Sequence, residues 1–193
     1  MTFSAPVYGA DILNSLMDSS SKNWNLGELD SVLMDALSNR VKGINTPYCY
    51  VGSWKAFFCW HTEDLDLSGL NLIHEGKSKF WYAINHQDKQ VLEKEAARLF
   101  PEHFSACKQY LRHKTTLINP YYLKKKYPQL RITKTEHTEH TIIAVLGGSY
   151  HTGFNFGFNV AEAVNYGTVD WLRQLIESQS CSCSRNSVKA SVY

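Results

Sequence analysis

The sequence predicts a mainly β, double-sheet jelly roll of cupin-like type carrying a helical insert, and three observations carry that prediction. Short β-like runs stand on both sides of a helical stretch at about residues 86–126, instead of alternating with helices as a parallel fold requires. The chain is rich in aromatics, with Tyr 11, Phe 9 and Trp 5, which suggest sheet-lined pockets, although aromatics mostly pack. Its 193 residues fit a single domain with a short appendage. Composition narrows the function classes. Lys+Arg 20 against Asp+Glu 18 leaves +2, so no charge excess points to nucleic acid or an anionic membrane. Hydrophobic residues at 44% and charged residues at 20% exclude disorder of the whole chain.

Taken in order, residues 25–37 read as a helix, with Asn25 as cap, Glu28 three residues later, and Leu26, Leu29, Leu33 and Leu37 at helical spacing. Residues 48–61 read as two aromatic strands across a tight turn at Gly52. Short strands follow at 70–74 and 79–84. Residues 87–99 and 101–112 read as helices, the second with Pro101 in its first turn, and a further helix starts at Asn119-Pro120. Strands return at 131–136, 141–146, 150–156 and 160–166, and a last helix starts near Thr168 with Val169, Leu172 and Leu175. The Ser/Cys-rich tail from Ser178 has little to pack, and flexibility is expected beyond Cys183. The division that follows is a jelly roll over 1–167 and a helix with its tail over 168–193. No apolar run approaches the roughly 18–20 residues of a membrane span. The N-terminus has no basic region followed by an apolar stretch, so a soluble, intracellular protein is expected.

Five cysteines, an odd number, argue against a disulfide framework. Cys49 and Cys59 lie in apolar stretches and read as small buried hydrophobes. Cys107, Cys181 and Cys183 lie in polar surroundings, and the close Cys181/Cys183 pair invites a metal. A histidine and an acid at i and i+2 leave one face of a strand together. That spacing occurs at His61/Glu63, His86/Asp88 and His137/Glu139. His86/Asp88 sits at a helix start, where the two diverge, and His137/Glu139 lies in a polar stretch; His61/Glu63 alone ends an aromatic strand. A second histidine would complete a two-His-one-carboxylate facial triad, which leaves open positions on Fe(II). His151, within the glycine-rich Gly147-Gly148-Ser149-Tyr150-His151-Thr152-Gly153, is the best third ligand; taken alone it also reads as a hydrogen-bonded core histidine.

Four stretches together resemble a known family: Asn45-Thr46-Pro47-Tyr48-x-Tyr50, Trp60-His61-Thr62-Glu63-Asp64, Leu111-Arg112-His113-Lys114, and Tyr150-His151-x-Gly153-Phe154-Asn155-x-Gly157-Phe158-Asn159-x-Ala161-Glu162. In this order and spacing they are similar to the JmjC-domain histone lysine demethylases, most of all to the subgroup acting on trimethylated lysine nine and lysine thirty-six of histone H3. The resemblance runs from Pro6 to Cys183. It implies the double-stranded β-helix of that family and a nuclear dioxygenase that uses Fe(II) and 2-oxoglutarate. Such an enzyme hydroxylates an N-methyl group of trimethyl- or dimethyl-lysine and releases formaldehyde and succinate.

Residue by residue, the resemblance implies His61, Glu63 and His151 as iron ligands and Lys114 beside the oxygen site. Lys79 and Tyr8 match the pair that holds the distal carboxylate of 2-oxoglutarate, Asn71 a hydrogen-bonding partner of that cofactor, and Phe58 a ring packed on it. Gly43, Tyr50, Glu63 and Asn165 match the oxygens that surround the methylammonium group. Cys107, His113, Cys181 and Cys183 match a closed structural Zn(II) set. The implied partner is the histone H3 tail, with neither sequence-specific nucleic-acid binding nor a membrane; the oligomeric state is left open.

Three departures qualify the match. The chain begins at about where the family's N-terminal JmjN segment would have ended. The family's Pro-x-Gly-Tyr-His reads here Gly147-Gly148-Ser149-Tyr150-His151, after a stretch from Glu139 that is about two residues longer. Two positions that often carry hydroxyls are Ala163 and Val164. Two alternatives stay open: a catalytically weak or inactive chromatin-binding module, and a JmjC hydroxylase of another protein side chain.

Overall fold

The computed structural model describes residues 5–36, 39–176, 178, 181 and 183. Among them nine strands form two antiparallel sheets, the layered arrangement of a jelly roll. The larger sheet has the order β1 (Tyr8–Leu13), β2 (Tyr48–Gly52), β9 (Asn159–Tyr166), β4 (Ser68–Gly76), β7 (Ile142–Val145). The smaller has the order β3 (Phe57–His61), β8 (Tyr150–Asn155), β5 (Lys79–Ile84), β6 (Ile132–His137). Consecutive strands repeatedly change sheets, so short connections between them build two facing layers with a space between.

The helical insert comprises α2 (Lys89–Leu99), α3 (Pro101–Ala106) and α4 (Pro120–Lys126). It packs on the outer face of the smaller sheet around Trp60, Ile84, Leu92, Leu111, Leu123 and Tyr150. Trp60 anchors the joint by donating its Nε1–H to the Ile118 carbonyl at 2.8 Å. Within the insert, the buried Glu95 carboxylate accepts hydrogen bonds from Arg98, Lys126, Tyr122 and Tyr127, tying α2 to α4. A buried charge so fully paired is tolerated. A second core gathers Leu33 of α1 (Val32–Ala36), Ile44, Leu65, Leu67 and Trp171 of α5 (Val169–Leu175). No helix among the described residues is long and apolar enough to cross a membrane.

Four local expectations are corrected. The helix expected over 25–37 is two pieces. Asn25 does cap a short 3-10 turn, accepting from the Gly27 N–H, but Leu29 is extended. The chain then restarts at α1 because Ser31 exchanges hydrogen bonds with Gly167. Residues 48–61 do form two strands, but β2 and β3 belong to different sheets. The helix expected over 101–112 stops at Ala106: Cys107 is extended, and a 3-10 turn, Tyr110–His113, follows. His137, read as part of a polar stretch, is fully buried; its ring bonds the Thr141 carbonyl at 2.7 Å, and burial pushes it down to about 4. Helicity beyond Ala36, through Leu37, and the tail after Cys183 lie outside the described residues. β1 was not foreseen.

Candidate active site

The site begins with a register shift. Phe57 and Phe58 of β3 pair with Phe154 and Gly153 of β8, but the next pair is His61 with His151. Two residues of β3 therefore oppose Thr152 alone. This bulge resets the alternation, so Phe58 and His61, three residues apart, both line the space between the sheets. Glu63 follows, and Gly69 on β4 makes room for it: a Cβ there would stand 2.9 Å from Glu63 Oε1.

The ligating atoms of His61, Glu63 and His151 lie within 4.8 Å of one another. Both imidazoles are buried, with ring centroids 4.2 Å apart. The His61 Nδ1 meets the Cys59 carbonyl at 2.7 Å and the His151 Nδ1 meets the Ser149 carbonyl at 3.1 Å. A carbonyl can only accept, so each Nδ1 carries a hydrogen and Nε2 is the ring atom left for a metal; His151 Nε2 stands 3.4 Å from Glu63 Oε1. Burial, His151 and Lys114 hold His61 well below the usual imidazole range, which keeps it neutral. Burial of Glu63 opposes its ionisation, but His151, His61 and Lys114 outweigh that and keep it a carboxylate. Two imidazoles and one carboxylate on one side of an open space fit an iron ion with free positions.

A cavity of about 850 Å³ opens over these three side chains. It is lined by every residue expected around iron, cofactor and substrate: Tyr8, Gly43, Tyr50, Phe58, His61, Glu63, Asn71, Lys79, Lys114, His151 and Asn165. Lys79 is 1% exposed and donates to Asn155 Oδ1 at 2.9 Å. Burial pushes its ammonium down to about 8. Its Nζ stands 5.6 Å from the centre of the Tyr8 ring and 5.9 Å from that of Phe58. Asn71 Oδ1 is buried with no hydrogen-bond partner, as a group reserved for a ligand would be. Lys77, which shares strand parity with Lys79, is exposed and precedes β5.

At the opposite wall Tyr50 donates its hydroxyl to Asp11 at 3.0 Å. Burial, then Asp11 and Glu63, push that hydroxyl far up, so it stays neutral. Asn165 on β9 pairs with Gly69, and its backbone N–H bonds the Ile44 carbonyl at 3.1 Å. Gly43 has φ +73, and a Cβ would fall 2.1 Å from the Tyr48 ring, so only glycine fits. Lys114 is exposed, in the left-handed conformation that ends the Tyr110–His113 turn.

A second cluster lies beside this cavity. The ligating atoms of Cys107, His113, Cys181 and Cys183 are also within 4.8 Å of one another. The Cys181 sulfur is 3.0 Å from that of Cys183, 3.2 Å from His113 Nε2 and 3.5 Å from the Cys107 sulfur. Burial opposes ionisation of Cys181, but hydrogen bonds from Cys183, His113 and Cys107 push its thiol down to about 6. The extended Cys107 that cuts α3 short is what carries its sulfur to this meeting point.

Residues 48–166 match the family described as JmjC domain, hydroxylase. The chain belongs to the JmjC family. This JmjC chain is 43% identical over 197 residues to lysine-specific demethylase 4B of Mus musculus, across 100% of the chain and 18% of that protein. It is 44% identical over 192 residues to probable lysine-specific demethylase 4F of Homo sapiens, across 97% of the chain and 30% of that protein. To lysine-specific demethylase 4D of Rattus norvegicus it is 41% identical over 195 residues, across 98% of the chain and 38% of that protein. The JmjC chain thus spans between 18% and 38% of the length of these relatives.

Three participants were not singled out from the sequence: Asn155, which holds Lys79; Asp11, which holds Tyr50; and Arg112, which grips the loop after Glu63. Asn155 was accessible in principle, since it follows Gly153 by two on a strand and shares that residue's inward face. The other two bonds join segments 39 and 49 residues apart and leave no local trace.

Proposed function

We propose that the JmjC chain is an Fe(II)- and 2-oxoglutarate-dependent lysine demethylase acting on trimethyl- or dimethyl-lysine of the histone H3 tail. The observation that carries this reading is the pairing, in one cavity, of the His61/Glu63/His151 set with a buried Lys79 ammonium behind it. Fe(II) with 2-oxoglutarate supplies the oxidation of one N-methyl carbon by O2. The protein's own part is placement. His61, Glu63 and His151 would hold the metal from the side of the cavity on which they converge. Lys79 and Tyr8 hold the distal carboxylate of 2-oxoglutarate, Asn71 bonds the cofactor, and Phe58 packs on it.

A methylammonium group carries its charge on C–H edges and needs oxygens around it. The Gly43 carbonyl, the Tyr50 hydroxyl, Glu63 and the Asn165 side chain supply them. Because Tyr50 donates its only hydrogen to Asp11, its oxygen lone pairs are free to face the cation. Lys114 stands at the rim beside the oxygen position. Cys107, His113, Cys181 and Cys183 hold a structural Zn(II) that fastens the 168–193 segment to the insert of the 1–167 catalytic unit. A histone substrate places the protein in the nucleus, and neither nucleic-acid sequence recognition nor a membrane enters the reaction.

The names of the three relatives, each a lysine-specific demethylase, support the choice of reaction. The test is incubation with Fe(II), 2-oxoglutarate and a trimethyl-lysine H3 peptide. Formaldehyde and succinate in equal amounts, abolished by His61→Ala, support demethylation. Succinate with a stable hydroxylated product would instead indicate a side-chain hydroxylase, and no turnover above the His61→Ala background would leave a binding module.

A further inference from the structure

The loop between Glu63 and β4 adopts a conformation that its own residues do not favour. Leu65 and Asp66 are consecutive, and both have φ near +52°, the left-handed region that side chains with a Cβ avoid. Two groups from distant parts of the chain hold this turn. Arg112 donates one guanidinium N–H to the Glu63 carbonyl and another to Asp66 Oδ1, both at 2.7 Å. Trp171 of α5 donates its Nε1–H to the Leu65 carbonyl at 2.9 Å. Arg112 is itself largely buried, with 9% of its side chain exposed, so its fork is fixed in place. Lys89 reaches the other Asp66 oxygen at 3.6 Å.

We propose that Arg112 is a positioning residue for the metal carboxylate. By bridging the Glu63 carbonyl to the Asp66 side chain it keeps the 63–66 turn left-handed, and that turn aims the Glu63 carboxylate at His61 and His151. This rests on the iron reading above, and it adds a residue that acts on the metal through Glu63 and is not itself one of the three ligands. A planar fork with two parallel N–H groups suits the task, because one cation has to reach two oxygens at once. Without the bridge, Asp66 retains Lys89 but the Glu63 carbonyl keeps only the Asp66 N–H of the turn itself. Trp171 still holds the Leu65 carbonyl, but the Glu63 end of the turn is then free to relax and carry the carboxylate away.

The test is Mn(II) binding, followed by loss of the free-ion EPR signal, in zinc-loaded protein. Mn(II) prefers oxygen and imidazole to thiolates and so reports the His/Glu set. Arg112→Met is expected to weaken Mn(II) binding about 10–100-fold while zinc content stays that of the wild type. Adding Asp66→Gly to Arg112→Met replaces a residue that resists positive φ with one that accepts it, so most of the lost affinity should return. Wild-type affinity in Arg112→Met, or no recovery in the double variant, would overturn the proposal. Should Arg112→Met not fold, Arg112→Lys carries the test: a lysine cannot span both oxygens, so a several-fold loss at an unchanged thermal midpoint is expected, and wild-type affinity overturns the idea. If the wild-type chain itself takes up no Mn(II), the iron reading falls and this inference with it; if the wild type binds and the variants bind equally, the inference falls alone.

Discussion

His61 and His151 are direct cross-strand partners, with ring centroids 4.2 Å apart and each Nδ1 committed to a backbone carbonyl. Two imidazoles held in this orientation turn their Nε2 atoms to a shared space. The arrangement exists only because a bulge separates the Phe58–Gly153 pair from the His61–His151 pair. A regular ladder would have turned His61 to the other face.

His61→Ala and His151→Ala should each weaken Mn(II) binding by at least about 100-fold, since two remaining ligands cannot complete the facial set. Formaldehyde release should fall to background in both. Circular dichroism should stay that of the wild type, because neither ring belongs to the two main apolar clusters.

Gly69→Ala places a methyl group 2.9 Å from Glu63 Oε1, closer than such atoms approach. The carboxylate has to move, so metal affinity should fall roughly 10-fold, and thermal stability should drop by about 1–2 kcal/mol, as expected for overpacking. Isothermal titration with Mn(II) and a thermal melt measure the two effects separately.

Lys79 gives a pH prediction. Its folded value is pushed down to about 8, against an ordinary 10.5, so the unfolded chain binds this proton more tightly. Burial therefore destabilises the ligand-free fold below about pH 8, and that penalty is relieved as pH rises from about 8 toward 10.5. Binding of 2-oxoglutarate should run the other way, weakening as pH rises through about 8 because the ammonium is lost. Lys79→Met should remove both dependences, raise ligand-free stability at pH 7 by about 1–2 kcal/mol, and weaken 2-oxoglutarate binding at least 10-fold. Calorimetric titrations at pH 7 and pH 9 decide it.

The Cys107/His113/Cys181/Cys183 set should contain one zinc per chain by elemental analysis. Cys183→Ser should release it and lower the thermal midpoint, because Cys181 would no longer be tied through the metal to Cys107 and His113. An unchanged zinc content would discard the assignment.

Most of the site residues were legible only through the resemblance to the family, which fixed Lys79 over Lys77 and supplied Tyr8, Asn71, Phe58, Gly43, Tyr50, Asn165 and Lys114; strand spacing by itself offered three His-x-acid pairs. Lys79 with Trp81 lies on one strand, and Tyr150–Asn155 and Asn159–Tyr166 are strands. Glu63 stands beyond the end of β3, so the expectation that His61 and Glu63 leave one strand face together is corrected: a bulge and the turn after His61 bring them together. What failed depended on distant partners. The helix at 25–37 reads correctly at its Asn25 cap, yet Ser31 finds Gly167 and breaks the leucine repeat. β1 escaped notice because Tyr8–Leu13 contains Gly9 and a left-handed Asp11, shows no apolar alternation, and is a strand by virtue of pairing with β2. The β2–β3 corner looked like a hairpin because nothing local tells a strand which sheet it will join. The grip of Arg112 on Glu63 is likewise invisible until the insert folds back over the sheet.

An ammonium sealed behind the cavity with an amide oxygen as its hydrogen-bond acceptor, and no carboxylate beside it among the described residues, leaves the vacant fold under electrostatic tension. Any dicarboxylate that settles there relieves it, so resistance to heating tracks metabolite supply: occupancy at 100 times the dissociation constant adds about 2.7 kcal/mol. Succinate, having the same terminal group as the proposed 2-oxoglutarate, would compete for this counter-charge.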